Sequence, residues 1–447
     1  MPDSLRRAIA LPQATALVVG IIIGASVFVQ ASEMTALVPS ARGVAAVWVT
    51  AGVLTLGGAL VCAELASAFP RTGGVYVFLR EIYSPAIGFL WGWAMFWAMH
   101  TGILAAIATV FARYAAYFVP VGDVGLRLIA IAAIVALSAV NYLGVSFGSR
   151  VQTTITAAKV VAVVSIIAIG LGLAPAQGAT APVAGAFGMV AAPGPVTVTG
   201  FCLAVAAGLF AFGGWHMVTY TAEETVAPER TIPRALVLGI IVVTLCYVGL
   251  NAIYLRVLPI EQVMRSTRVA ADVFESLIGP AGGGIMSAVV LVSAFGALNG
   301  IILAGPRVYY SMAQDGLLFR WVAEIHPRHR TPGRALLLQG AWATVLVLTG
   351  TYRSLFTLVV YTEWIFFALL GVGIVLLRRR PGYEPRWPMP GAPVVPLLFA
   401  AASFALVVNQ LVSDPRSSAL GLAMVGSGLP VYRWWRRRRA GVLIGVA

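Results

Sequence analysis

Charge is what this 447-residue chain lacks: Asp, Glu, Lys and Arg together make up only 10% of it. An ordinary soluble domain carries about 25%, so a solvated globule of this length is excluded. Lysine is all but missing, with 29 arginines beside the single Lys159. The three cysteines, Cys62, Cys202 and Cys246, each fall inside an apolar run, which excludes a disulfide framework. The four histidines show no HxxxH or Cys–His spacing, and neither a GxSxG elbow nor a P-loop occurs. No metal, cofactor or enzymatic constellation is therefore expected.

What the chain has is apolar residues, 60% of the total, with a mean hydropathy of +0.92. At about 20 residues per spanning helix, that content suffices for about twelve spans. Apolar runs bounded by charges or proline cover 12–37, 43–69, 86–118, 126–143, 151–174, 196–220, 235–258, 281–312, 335–351, 354–377, 393–412 and 418–435. The first run is much longer than the core of a cleavable signal peptide. The net charge of +14 does not point to nucleic acid, because the arginines flank apolar runs instead of covering one face. With the N-terminus in the cytoplasm, Arg6, Arg71, Arg80, Arg230, Arg234, Arg328, Arg378 and most others lie inside. Eight lie outside: Arg42, Arg113, Arg127, Arg256, Arg265, Arg268, Arg353 and Arg416. The positive-inside rule then places both termini in the cytoplasm. The closing Arg436–Arg439 run after Trp434 and Trp435 reads as an interfacial anchor more readily than as an anionic-lipid site.

Two runs carry glycine at their centres: Gly20, Gly24, Ala25 and Ser26 in the first, Phe212, Gly213 and Gly214 in the sixth. Glycine weakens a helix by about 1 kcal/mol relative to alanine, so these are natural points of unwinding. They lie five spans apart, the spacing expected of two inverted five-helix repeats, 12–174 and 196–377, followed by two additional helices, 393–435. In such folds the broken helices expose backbone N–H and C=O groups near the bilayer midplane, where substrates and ions bind. Lys159 lies in the middle of the fifth span, where a charged lysine costs at least about 2.5–3.5 kcal/mol on insertion scales. Either it ties helices together through carbonyls, or it serves proton coupling or stands in for a bound cation. Lysine can shed its proton; arginine effectively cannot. His100 in the third span and His216 just after the sixth-span glycines either line a pathway or relay protons, unless they are simply satisfied core histidines. His326 and His329 sit among loop arginines and read as surface.

Four segments carry a family resemblance over nearly the whole chain. They read AELASAFPRTGGVYVFLREIYSPAIGFLWGW (Ala63 to Trp93), FAFGGWHMVTYTAEETVAPERTIPRA (Phe210 to Ala235), SAFGALNGIILAGPRVYYSMAQDGLL (Ser293 to Leu318) and EWIFFALLGVGIVLLRRRP (Glu363 to Pro381). The chain resembles an amino-acid permease of the APC (amino acid–polyamine–organocation) superfamily, closest to the L-type, LAT-like branch. The resemblance implies an all-α fold of about twelve transmembrane helices, a LeuT-type 5+5 inverted repeat with helices 1 and 6 broken. It also implies sodium-independent amino-acid transport across the plasma (inner) membrane, with protons or by exchange, through alternating access. Carried over by position, Ile23, Gly24, Ala25 and Ser26 with Phe212, Gly213 and Gly214 bind the substrate. Phe212 is the shielding aromatic, Lys159 fills a cation's place, and Ser293 is its span 8 neighbour. Glu223 and Glu224 become cytoplasmic gate residues that pair with loop arginines.

Two departures stand out. Where the family's span 1 usually reads Gly-Ser/Thr-Gly, this chain has Gly24-Ala25-Ser26, leaving less room and one fewer free backbone approach. His216 stands where Asp, Glu or Asn is usual. An amine or polyamine carrier stays open as an alternative. It prefers acidic groups in the span interiors, whereas Glu33 and Glu64 lie toward span ends. A transporter-like nutrient sensor is a further alternative. Some LAT-type proteins pair with a single-span glycoprotein through an outer-loop cysteine; none of the three cysteines lies in an outer loop, so no covalent subunit partner is expected. The expected partners are an amino-acid substrate, protons and the lipid bilayer.

Overall fold

The first apolar run does not fold as one helix. In a computed structural model, which describes residues 5–24, 26–173, 196–350 and 352–444, it divides into α1 (Leu11–Ile22) and α2 (Ser26–Leu37). Long helices follow: α3 (Ala41–Ala68), the short link helix α4 (Val75–Ile82), α5 (Pro85–Ala94), α6 (His100–Ala115), α7 (Asp123–Tyr142) and α8 (Val145–Leu173). A π-turn over Met95–Met99 joins α5 to α6. The sixth run is α9 (Val198–Ala211) and, after a break, a 3-10 stretch over Trp215–Glu224. Then come α10 (Pro228–Val257), α11 (Ile260–Arg265), α12 (Val269–Ile278), α13 (Pro280–Ala304), α14 (Pro306–Gln314), α15 (Gly333–Thr349) and α16 (Tyr352–Leu377). The chain closes with α17 (Val394–Ser413), α18 (Pro415–Gly426) and α19 (Gly428–Ile444).

These helices start where the sequence supplies caps. Ser40 Oγ accepts from Gly43 N at 3.0 Å, and Thr197 Oγ1 from Gly200 N at 3.0 Å. Proline opens α5, α10, α13, α14 and α18, where its missing N–H costs nothing. Among the described residues, eight helices or near-continuous helical stretches are long and apolar enough to cross a membrane, with shorter apolar helices at Leu11–Ile22, Gly333–Thr349 and Tyr361–Leu377. The protein is an all-helical, polytopic membrane protein.

One run folds otherwise than expected. The segment 418–435 is not a single helix: α18 ends at Gly426, and α19, which carries Trp434 and Trp435, starts at Gly428. Gly426, Ser427 and Gly428 explain the break, being weak helix formers in succession, with Pro430 just beyond. The charge-free loop 175–195 lies outside the described residues.

The broken helices sit in the middle of the bundle. α1 packs against α8, α10 and α13, while α9 packs against α2 and α3. A polar ladder fastens these helices from within. Asn141 Nδ2 donates to Asn299 Oδ1 (2.8 Å), Asn299 Nδ2 to Gln152 Oε1 (2.9 Å), and Thr156 Oγ1 to Ala16 O (3.0 Å). Away from water such bonds have no competitor, which is why each of these donors finds an acceptor.

Candidate functional site

The helical ladder of α1 stops because Ile23 leaves helical geometry, with φ −72° and ψ 79°. Gly24 N turns back to Ile22 O at 2.7 Å, and helix resumes at Ser26. Ala25 and the Ser26 side chain lie outside the described residues. The first N–H groups of a helix have no intrahelical partner, and a helix start favours negative charge.

The sixth run breaks in the same way. Gly213 N bonds Phe210 O at 2.8 Å, and Gly214 takes φ +91°, a left-handed conformation natural to glycine. A Cβ there would lie 2.3 Å from Ile21 Cγ2, so the break presses directly on α1. Tyr247 of α10, which sequence reasoning passed over, joins the two breaks. Its hydroxyl lies 2.7 Å from Ile22 O and 2.9 Å from Ala211 O, the last helical carbonyls of α1 and α9. A lone tyrosine in the middle of an apolar span was the available signal. Phe212 is buried edge-on to Tyr247, with ring centroids 5.1 Å apart, and beside Trp48.

Lys159 meets the first break. Its Nζ donates to Gly20 O at 2.8 Å and Ile23 O at 2.7 Å, and the residue is 2% exposed. From α13, Ser293 Oγ donates to Ile23 O (3.1 Å) and Gly24 O (3.0 Å). The ammonium fits because Gly296 lacks a side chain: a Cβ there would lie 2.8 Å from Lys159 Cε and 2.4 Å from Ile155 Cγ2. Lys159, Ser293, Ile23 and Gly24 thus form one constellation across α1, α8 and α13. Ile23, assigned to the substrate by position, spends its carbonyl on Lys159 and Ser293.

His100 and His216 are both fully buried, each edge-on to Tyr220, with centroids 5.4 and 5.5 Å apart. His100 Nδ1 lies 3.3 Å from Tyr309 Oη. The sequence reading named Glu33 and Glu64 and missed Glu363, which sits inside the apolar run 354–377 and is 5% exposed. An ionisable residue within a span was signal enough.

Glu223 and Glu224 differ from expectation. Glu224 does not pair with a loop arginine. It makes a fork-to-fork bond with Arg307 at the start of α14, Nε to Oε2 and Nη2 to Oε1 both 2.8 Å, at 0% and 2% side-chain exposure. A carboxylate buried this deeply needs a buried partner, and loop arginines stay in water. Glu223 makes no ion pair among the described residues; it accepts from Thr72 N at 3.1 Å. Around them further contacts join the same end of the bundle. Val226 N donates to Ile9 O (2.8 Å), and Tyr76 Oη donates to Asp315 (2.7 Å), which also pairs with Arg80. Burial, then the bond to Asp315, pushes the Tyr76 phenol well above its usual range, so it remains a donor. Glu64, at the end of α3, is buried against Arg378, whose guanidinium that bond pushes up.

Apolar helices, two of them interrupted and facing each other beside a tethered lysine, are the build of a membrane transport protein. The amino acid permease family model matches residues 9–430, and the chain belongs to that family. It is 31% identical over 445 residues to the serine/threonine exchanger SteT of Bacillus subtilis (strain 168), covering 98% of this chain and 99% of that one. It is also 31% identical over 434 residues to the human b(0,+)-type amino acid transporter 1, covering 96% and 88%. To the human cystine/glutamate transporter it is 28% identical over 447 residues, covering 97% and 88%.

Proposed function

We propose that this permease moves neutral amino acids across the plasma membrane by exchange or with protons, without sodium, and that it is not an enzyme. In this reading its twelve spans form two inverted repeats, 12–174 and 196–377, with 393–435 added and both termini cytoplasmic. The substrate α-carboxylate sits on the N–H groups at the start of α2, from Gly24 to Ser26. Its ammonium sits on carbonyls around Phe212, Gly213 and Gly214, and Phe212 closes over it. Lys159 supplies a tethered cation that holds α1 to α8, with Ser293 completing the oxygen cage from α13. His100 and His216 line the path beyond the sixth-span break. The Glu224–Arg307 pair and the contacts of Thr72 with Glu223 form the cytoplasmic gate.

The observation that carries the reading is the lysine ammonium between the Gly20 and Ile23 carbonyls, 2.8 and 2.7 Å away. A fixed positive charge at the open end of a broken helix does a sodium ion's work without sodium. The names of the relatives, a serine/threonine exchanger and a large neutral amino acids transporter small subunit, support neutral substrates. Counterflow of labelled L-serine into proteoliposomes preloaded with each of the standard amino acids tests it. Accumulation with neutral amino acids inside, equal in sodium and choline buffers, is expected. Counterflow only with diamines, or none at all, overturns it.

A further inference from the structure

The cytoplasmic half of the sixth run and α16 enclose a second polar cluster that the tethered lysine does not explain. Six side-chain atoms in it have no hydrogen-bond partner among the described residues. They are both ring nitrogens of His216, His100 Nε2, Tyr220 Oη, Glu363 Oε1 and Nε1 of Trp91, whose ring packs on His216. All five residues are buried. Tyr220 stands between the two imidazoles and within electrostatic reach of the Glu363 carboxylate. One turn along α16 from Glu363, and so on the same face, Phe367 packs on His216 with centroids 5.1 Å apart. Phe366, three residues along, packs on Trp91. The π-turn over Met95–Met99 shifts the register of the third span just before His100, a distortion frequent at working sites.

We propose that Glu363, with His216, Tyr220 and His100, is a proton-binding site that loads and unloads during the transport cycle. The inference rests on the chain working as an amino-acid transporter. Four buried residues whose donors and acceptors are grouped together without hydrogen bonds to one another are a costly arrangement. A proton completes it. On Oε1 it makes an O–H that donates to an imidazole nitrogen or the phenol oxygen. When it leaves to the aqueous side, the carboxylate accepts from Tyr220 or from a protonated ring. Among the described residues Glu363 makes no ion pair with a lysine or arginine, and α6 carries Arg113 only in its last turn. α5 and α17 contain no ionisable side chain, and α18 has only Arg416 in its first turn. From α3 comes Cys62, from α14 Tyr309, both neutral groups, while Arg80 and Glu81 of α4 are engaged at the bundle's end. A buried carboxyl with such neighbours takes up a proton instead of standing as a lone charge.

The test follows lumenal pH with an entrapped dye while labelled L-serine enters proteoliposomes at clamped membrane potential. Wild-type protein should carry protons with serine, and Glu363→Gln should lower protons per serine by about tenfold, a coupling loss of ordinary size. Glu363→Asp should restore most of the ratio. An unchanged ratio in Glu363→Gln overturns the proposal. So does wild-type serine counterflow with no proton movement, which leaves the transport reading standing, whereas absent counterflow removes that reading itself. If Glu363→Gln does not insert, His216→Gln reads the same ratio. The same fall supports the site and an unchanged ratio refutes it.

Discussion

Replacing Lys159 by alanine removes two charge-assisted hydrogen bonds from the heart of the first break. Ile23 O keeps Ser293 Oγ at 3.1 Å, so it is not orphaned. Gly20 O is, because the amide that would continue the ladder, Gly24 N, bonds Ile22 O instead. One orphaned buried carbonyl costs about 1–3 kcal/mol. At about 1.4 kcal/mol per decade, that is a loss of about five- to a hundredfold in the population of the substrate-ready arrangement. Counterflow rate and substrate-induced rise in melting temperature should both fall on that scale. The carbonyls of Gly20 and Ile23 with Ser293 Oγ would remain as an oxygen cage around an empty volume. Sodium should therefore stimulate Lys159→Ala while leaving the wild type unmoved. Lys159→Arg keeps the charge, but its planar head must fit the space that Gly296 leaves beside Ile155, and it should be impaired as well. Lys159→Ala transporting at the wild-type rate, with no response to sodium, would refute the reasoning.

Other substitutions test neighbouring parts. Gly24→Val should abolish substrate-induced thermal stabilisation while the protein still inserts, since a Cβ at Gly24 already lies 3.3 Å from Ala297 Cβ and a branched side chain fills the approach. Tyr247→Phe deletes the hydroxyl shared by Ile22 O and Ala211 O; Ile22 O keeps Gly24 N, and the loss of the bond at Ala211 O costs about 1–3 kcal/mol. The effect should show as a lower melting temperature and weaker substrate binding together. Arg307→Ala strands the Glu224 carboxylate and should cost about 3–5 kcal/mol in thermal unfolding. The double change Glu224→Leu with Arg307→Met should recover most of that, because the penalty lies in the unpaired charge.

Much of this architecture is legible before any coordinates. Apolar run length places the helices, and the glycines at Gly24 and Gly213–Gly214 place both breaks, because unwinding is a local property of weak helix formers. Lys159 announces itself by composition, as the one lysine in the chain. Its partners do not: Gly20 O and Ile23 O are backbone atoms, and only the register between α1 and α8 decides which carbonyls face it. Ser293 was reachable through the family pattern alone. Tyr247 and Arg307 act across more than 80 residues of chain or across helices, with no local signature of pairing, so their roles appear only in three dimensions. Glu363 is the instructive miss. It carries the same signal as Lys159, an ionisable group in an apolar run, but heads a family motif, where it reads as pattern instead of as charge. The split between α18 and α19 is hidden because the two helices share one apolar stretch, and hydropathy does not register an interruption of a single residue.

The central claim is that the amino acid binds at the two breaks, with its carboxylate on the start of α2. The most direct measurement is an experimental map of the purified protein with the amino acid that gives the strongest counterflow. The account predicts the carboxylate within hydrogen-bond reach of the backbone N–H groups from Gly24 to Ser26, Phe212 against the ligand, and the Lys159 ammonium still on Gly20 O and Ile23 O. Density for the ligand away from both breaks, or a sodium ion seated between α1 and α13, would contradict it.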